Sequence, residues 1–221
     1  MTDNNLVFKS PIELLGNIFE NPTFGAVLAR AGVGKTAFLV QIAIDGLLKG
    51  KKTLHVTIGD SLEKASLWYE EAFKSIAGIS GIKWRDAEAV FEGFLPKRFI
   101  MAFKAERFGM SIFMERLFEL IQQNIFRPDL VIIDGFSFNN EAKELEEFKK
   151  FAEEKKLQIW FALLTHRSKK MPDISSEGLK TFEKVVLLKP DNVVNVEILK
   201  GILDKDKKLI LDPSTMLLTK G

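Results

Sequence analysis

The chain has 221 residues, 46% of them hydrophobic and 28% charged, with 32 basic against 30 acidic side chains. That is enough apolar material for one α/β domain with a full core, and the near-neutral balance does not argue for nucleic acid as a partner. With no cysteine, disulfides, thiolate metal sites and cysteine nucleophiles are excluded. No apolar run approaches the roughly 20 residues of a membrane span. The first ten residues lack a secretory pattern, so a cytoplasmic protein is expected.

Ser10-Pro11-Ile12-Glu13 reads as a capping box with proline at the first helical position, predicting a short helix to residue 20. A buried strand is expected over 23–30, followed by a helix over 35–49 that is apolar almost all round and stopped by Gly50. The alternation continues with a strand over 53–58 and a helix over 62–75. That helix offers Ala65, Leu67, Trp68, Ala72 and Phe73 to its buried side. Between 76 and 96 the pattern is weak, with a short helix over 85–94.

Next come a strand over 98–103 and an amphipathic helix over 111–125 using Ile112, Phe113, Leu117, Leu120 and Ile121. A buried strand over 130–133, a charged helix over 141–154 and a strand over 158–164 follow. Repeated strand–helix units with apolar strands imply a mainly parallel twisted sheet with helices on both faces. Residues 168–179 are polar and read as a mobile loop, after which strands over 182–188, 193–199 and 208–211 suit antiparallel hairpins at the sheet edge. The 19 phenylalanines, beside one tyrosine, read as core filling and a sticky surface.

The chemistry concentrates in Ala29-Arg30-Ala31-Gly32-Val33-Gly34-Lys35-Thr36. This is the pattern of a phosphate-binding loop with alanine in place of its first glycine. Backbone amides from Arg30 to Thr36 are expected to surround a β-phosphate at a helix N-terminus. Gly32 and Gly34 permit the tight turns, Lys35 reaches the β- and γ-phosphates, and the Thr36 hydroxyl binds Mg²⁺. Leu130-Val131-Ile132-Ile133-Asp134 supplies an acid at the tip of a strand expected to neighbour the loop's own strand. Asp134 is thereby a candidate for holding Mg²⁺ through water, with Gly135 leaving space beside the triphosphate.

Thr165 and His166, at the tip of the next strand, share a candidate role in sensing the γ-phosphate or positioning water. His55 lies inside a strand and reads as a core residue. Asp60 has two readings: a cap for the following helix, shared with Ser61 and helped by Glu63, which is the stronger, and a base that orients the attacking water.

Taken together, Ala29 to Thr36, Leu130 to Asp134, Leu163-Leu164-Thr165-His166 and Val196-Glu197-Ile198-Leu199-Lys200 resemble the RecA-like ATPases over residues 20–202, closest to the KaiC/RadA-like branch. The resemblance implies a three-layer P-loop NTPase fold binding ATP and Mg²⁺, with a nucleotide state that controls assembly or a protein partner. The chain departs from that family twice. Gly59-Asp60-Ser61 stands where a glutamate, often a pair, is usual, and Gly201 and Ile202 follow Lys200 where a Lys-x-Arg would reach a neighbouring active site. Such an arginine contributes about 10³ or more in rate, so binding is better supported than fast turnover.

A slow ATPase, a non-hydrolysing ATP-binding scaffold and a recombinase-like DNA-binding accessory protein using Lys169 and Lys170 are the readings carried forward, the last not favoured. The absence of an Asn-Lys-x-Asp guanine signature favours adenine.

Overall fold

The computed structural model describes residues 6–19, 24–136, 142–165, 176–202 and 208–221. After a 3-10 turn at Pro11–Leu15, the elements are β1 (Phe24–Ala29), α1 (Lys35–Leu48), β2 (Thr53–Ile58), α2 (Leu62–Ile79), α3 (Trp84–Glu92), β3 (Arg98–Phe103) and α4 (Met110–Gln122). They continue with β4 (Leu130–Phe136), α5 (Ala142–Lys155), β5 (Gln158–Leu164), α6 (Ser176–Thr181), β6 (Lys184–Pro190), β7 (Val194–Lys200), β8 (Leu209–Leu211) and β9 (Leu218–Lys220).

Among the described residues nine strands form one sheet in the order β3-β2-β4-β5-β1-β6-β7-β8-β9. The first six strands are mutually parallel, and β7, β8 and β9 add an antiparallel meander. Alternate strand residues serve opposite layers, as the two-residue period of a strand requires. Val27, Ile132 and Trp160 join α1, α2 and α3 in one core, while Ala26, Val131, Ile133 and Phe161 join α4, α5 and α6 in the other. The molecule is a three-layer α/β structure with its central parallel strands β1, β2, β4 and β5 buried on both faces and β3 half-buried at the edge. The phenylalanines largely fill the second core: Phe24, Phe113, Phe148, Phe161 and Phe182 form a network of rings with centroids 5–6 Å apart.

One topological expectation is overturned. β4 does not neighbour β1, because β5 lies between them and is hydrogen-bonded to both. The chain leaves β4, crosses through α5 and returns in the gap. α1 bridges that gap, resting on β1, β5 and β4.

Local differences have identifiable causes. Ser10 makes no side-chain cap; its carbonyl accepts from the Glu13 amide, and a five-residue 3-10 turn replaces the expected helix. α2 runs to Ile79, and Tyr69, Ile76 and Ala77 join Ala65 and Phe73 on its buried stripe while Leu67 is 52% exposed. The stripe rotates because the Tyr69 hydroxyl finds a partner in His55, as a buried phenol needs. On α4, Ile112 is likewise exposed rather than buried. Part of the polar stretch expected to be a loop is helix α6, anchored by Leu179 and by Phe182 just beyond it; residues 168–175 lie outside the described residues. The strand β9, unforeseen in the sequence, is three residues long, too short to show alternation. Among the described residues, no helix is long and apolar enough to cross a membrane.

Candidate functional site

The chain turns from β1 into α1 through residues 30–34, at the carboxyl ends of the parallel strands. Gly32 and Gly34 take φ of 76° and 111°, the left-handed region that glycine enters without a side-chain clash. Ala31 and Gly32 form an exposed crest, while Arg30, Val33, Gly34, Lys35 and Thr36 are half-buried and Ala29 is fully buried as the last residue of β1. The Lys35 ammonium folds back over the loop, donating to the carbonyls of Ala29 at 3.1 Å and Arg30 at 3.0 Å. Burial lowers the Lys35 pKa, and the nearby Asp134 carboxylate opposes that shift.

Thr36, in the first turn of α1, meets Asp134 although β1, which leads into that helix, does not pair with β4. The Thr36 hydroxyl donates to Asp134 Oδ2 at 2.6 Å. Two features create this contact. α1 carries Thr36 across the sheet, and β4 contains an irregularity at Asp134 and Gly135: Ile133 pairs with Phe161 but Phe136 pairs with Leu163, one residue being extra in β4. Such a bulge re-aims a side chain at a strand end.

Gly135 is required there for a reason other than room for a ligand. Its φ is 88°, and a Cβ would stand 2.5 Å from the Ile58 carbonyl oxygen of β2. Asp134 is 8% exposed. Burial raises its pKa above the ordinary value; the Thr36 hydroxyl, Lys35 and the Gly135 amide pull it back, and the charge of Asp60 adds to the rise.

β5 brings Thr165 to the end of β1. Its amide donates to the Ala29 carbonyl at 3.0 Å, so that oxygen receives both Thr165 and Lys35. His166 lies outside the described residues. At the tip of β2, Ser61 is the helix cap, accepting from the Lys64 amide at 3.2 Å. Asp60 is not the cap; its half-exposed carboxylate pairs with Lys64 at 2.7 Å. His55 is a core residue, as expected, 1% exposed and joined to the Tyr69 hydroxyl at 3.0 Å. Burial and the neighbouring Arg98 charge push its pKa down to about 4.

The end of β7 does not project a cation outward. Lys200 is turned onto its own chain, donating to the Lys180 and Phe182 carbonyls, and Ile202 is buried.

Sequence reasoning missed a part of the site contributed by the C-terminus. Gln41, fully buried in α1, donates to the Met216 carbonyl at 2.9 Å and accepts from the Leu218 amide at 2.8 Å. This bracket holds the turn at 212–217 against α1. A cavity of about 270 Å³ opens there, lined by Ala37, Gln41, Trp68, Glu71, Ser75 and Thr215 among others. A glutamine in the middle of a mainly apolar helix was the available signal, and it named no partner.

Hydroxyl and carboxylate oxygens 2.6 Å apart, beside an ammonium and a turn of backbone amides, suit an anion accompanied by a small hard cation. Among the described residues no three His, Cys, Asp or Glu could hold a metal by themselves, so such a cation would be completed by ligand and water oxygens. No protein-family model matches the chain, and no curated protein matches it significantly.

Proposed function

We propose that this protein is a RecA/KaiC-like P-loop protein that binds ATP with Mg²⁺ and hydrolyses it slowly, its nucleotide state governing assembly or a partner. The observation that carries the reading is the 2.6 Å bond from Thr36 to Asp134. A hydroxyl on the first turn of a helix and an acid two strands away have no structural need to meet. In phosphate-loop chemistry, though, a hydroxyl and an acid so placed are the pair that would hold the cation accompanying a bound triphosphate. In that role the Thr36 hydroxyl, and Asp134 through water, would hold Mg²⁺, which would supply positive charge beside the phosphates, and Lys35 would exchange the Ala29 and Arg30 carbonyls for phosphate oxygens. The cavity beginning at Ala37, with the Trp68 ring and the Glu71 carboxylate in its wall, suits a nucleobase next to the phosphates.

Slow turnover follows from the groups available to orient water and stabilise charge. Asp60 is shorter than glutamate and already paired with Lys64. The Lys200 ammonium donates to carbonyls of its own chain, and a buried Ile202 stands where the resemblance would place an arginine. A non-hydrolysing scaffold is the second reading, and these same observations favour it.

Calorimetric titration of Mg-ATP into the wild type and Lys35→Ala, with Mg-GTP in parallel and turnover followed against protein concentration, tests the proposal. The expected result is saturable ATP binding lost in the variant, with a low rate that depends on Lys35. Absence of binding by the wild type would overturn the reading, whereas binding without turnover selects the scaffold.

A further inference from the structure

We infer that the C-terminal turn at 212–217 positions the 29–36 loop for its ligand, with Met216 as the positioning residue. This inference rests on the nucleotide reading above.

A glycine with φ of 111° has few intrinsic reasons to stay there, since glycine ranges more widely than any other residue. The space that a side chain would occupy at Gly34 is filled from outside. A Cβ built on Gly34 would lie 2.5 Å from the Met216 methyl and 3.2 Å from a Leu211 methyl. The loop is therefore backed by the C-terminal hairpin as well as by its own helix.

Met216 is itself held in an uncommon state. Its φ is 56°, left-handed backbone that a residue with a side chain adopts only when its surroundings demand it. Those surroundings are extensive. Asp212 Oδ1 accepts from the Ser214 amide and hydroxyl at 3.0 and 2.6 Å and from the Thr215 amide and hydroxyl at 2.8 and 2.9 Å. These donors push the Asp212 pKa down to about 2, so the carboxylate accepts throughout the neutral range. The Met216 amide donates to the Asp212 carbonyl at 2.8 Å, and the Met216 carbonyl receives Gln41. A turn fixed at both ends thus presses one methyl group onto the residue just before Lys35. A loop held in its binding conformation binds more tightly than one that visits it, by the reciprocal of the fraction of time spent there.

Met216→Gly is the informative substitution. It deletes the methyl contact and relieves the left-handed backbone, so the turn loses a side chain without gaining strain. Mg-ATP affinity measured by calorimetry is expected to fall about five-fold or more, alongside a lower melting temperature from the lost packing of a half-buried side chain, with Met216→Leu recovering part of both losses. As a readout that a merely structural role would not move, the ¹³C-methyl resonance of Met216 is expected to shift on Mg-ATP addition in the wild type and stay still in Lys35→Ala.

Wild-type affinity in Met216→Gly, or an unmoved Met216 methyl in wild-type protein saturated with Mg-ATP, would overturn the inference while leaving the nucleotide reading intact. A wild type that binds no nucleotide overturns both.

Discussion

The Thr36 hydroxyl and the Asp134 carboxylate are joined at 2.6 Å although β5 separates β4, which carries Asp134, from β1, which leads into the helix that carries Thr36. The bond depends on α1 crossing the gap and on the bulge turning Asp134 toward it. Thr36→Ala and Asp134→Asn are expected to weaken Mg-ATP binding about ten-fold or more while leaving binding in EDTA near that of the wild type. Titrations with and without the metal check this; equal losses under both conditions would show that the pair supports the loop and holds no cation.

Asp60 is released from the capping role by Ser61 and forms its ion pair with Lys64. Asp60→Ala is expected to reduce Lys35-dependent turnover without changing nucleotide affinity. Asp60→Glu, which extends the carboxylate by one methylene, is expected to raise it. Steady-state phosphate release reads both, and an unchanged rate in Asp60→Ala removes this residue from the mechanism.

Gly135→Ala is expected to destabilise the fold by about 3 kcal/mol, combining left-handed backbone with an overpacked contact. The added Cβ would stand 2.5 Å from the Ile58 carbonyl oxygen, which cannot retreat without breaking register in β2. Chemical denaturation measures the loss. A shift below about 1 kcal/mol would mean that the bulge relaxes readily.

His55 makes stability depend on pH in a defined window. Its folded pKa is about 4 against an ordinary value of 6.5, because burial and Arg98 disfavour the charged form. Above the ordinary value both states are neutral and the histidine contributes no slope. As pH falls from 6.5 to 4 only the unfolded chain takes up the proton, so stability declines, by about 3 kcal/mol in all. Below that range both states are charged and the slope ends. Denaturation midpoints of the wild type and His55→Gln, compared from neutral pH down to the acid limit, are expected to converge as the pH drops.

Much of this was legible in the sequence where apolar runs and glycines act locally. The strands β2, β3 and β5 have the predicted limits, because each is a mainly apolar run bounded by polar or turn residues, buried in β2 and β5 and half-buried at the edge in β3. The glycines and lysine of the 29–36 loop announced a tight turn ahead of a buried helix, and that turn is present.

Relationships between distant segments were not legible. Nothing in Leu130 to Asp134 says that β5 will insert beside it, and the bulge at Gly135 is visible only in the pairing register. The rotated stripe of α2 depends on Tyr69 meeting His55, a partner 14 residues earlier. The bracket from Gln41 to Met216 and Leu218 links residues more than 170 positions apart through an ordinary side-chain amide, so neither end signals the other.

The shared acceptor at Ala29 has a consequence for how the loop would fill. Its carbonyl receives both the Lys35 ammonium and the Thr165 amide. When the ammonium swings toward an incoming anion, that oxygen still has its strand partner, and the Arg30 carbonyl belongs to a half-buried residue within reach of water. No orphaned acceptor is left behind. Occupancy then amounts to a change of partner for one cation, and the end of the sheet can stay as it is while the ligand comes and goes.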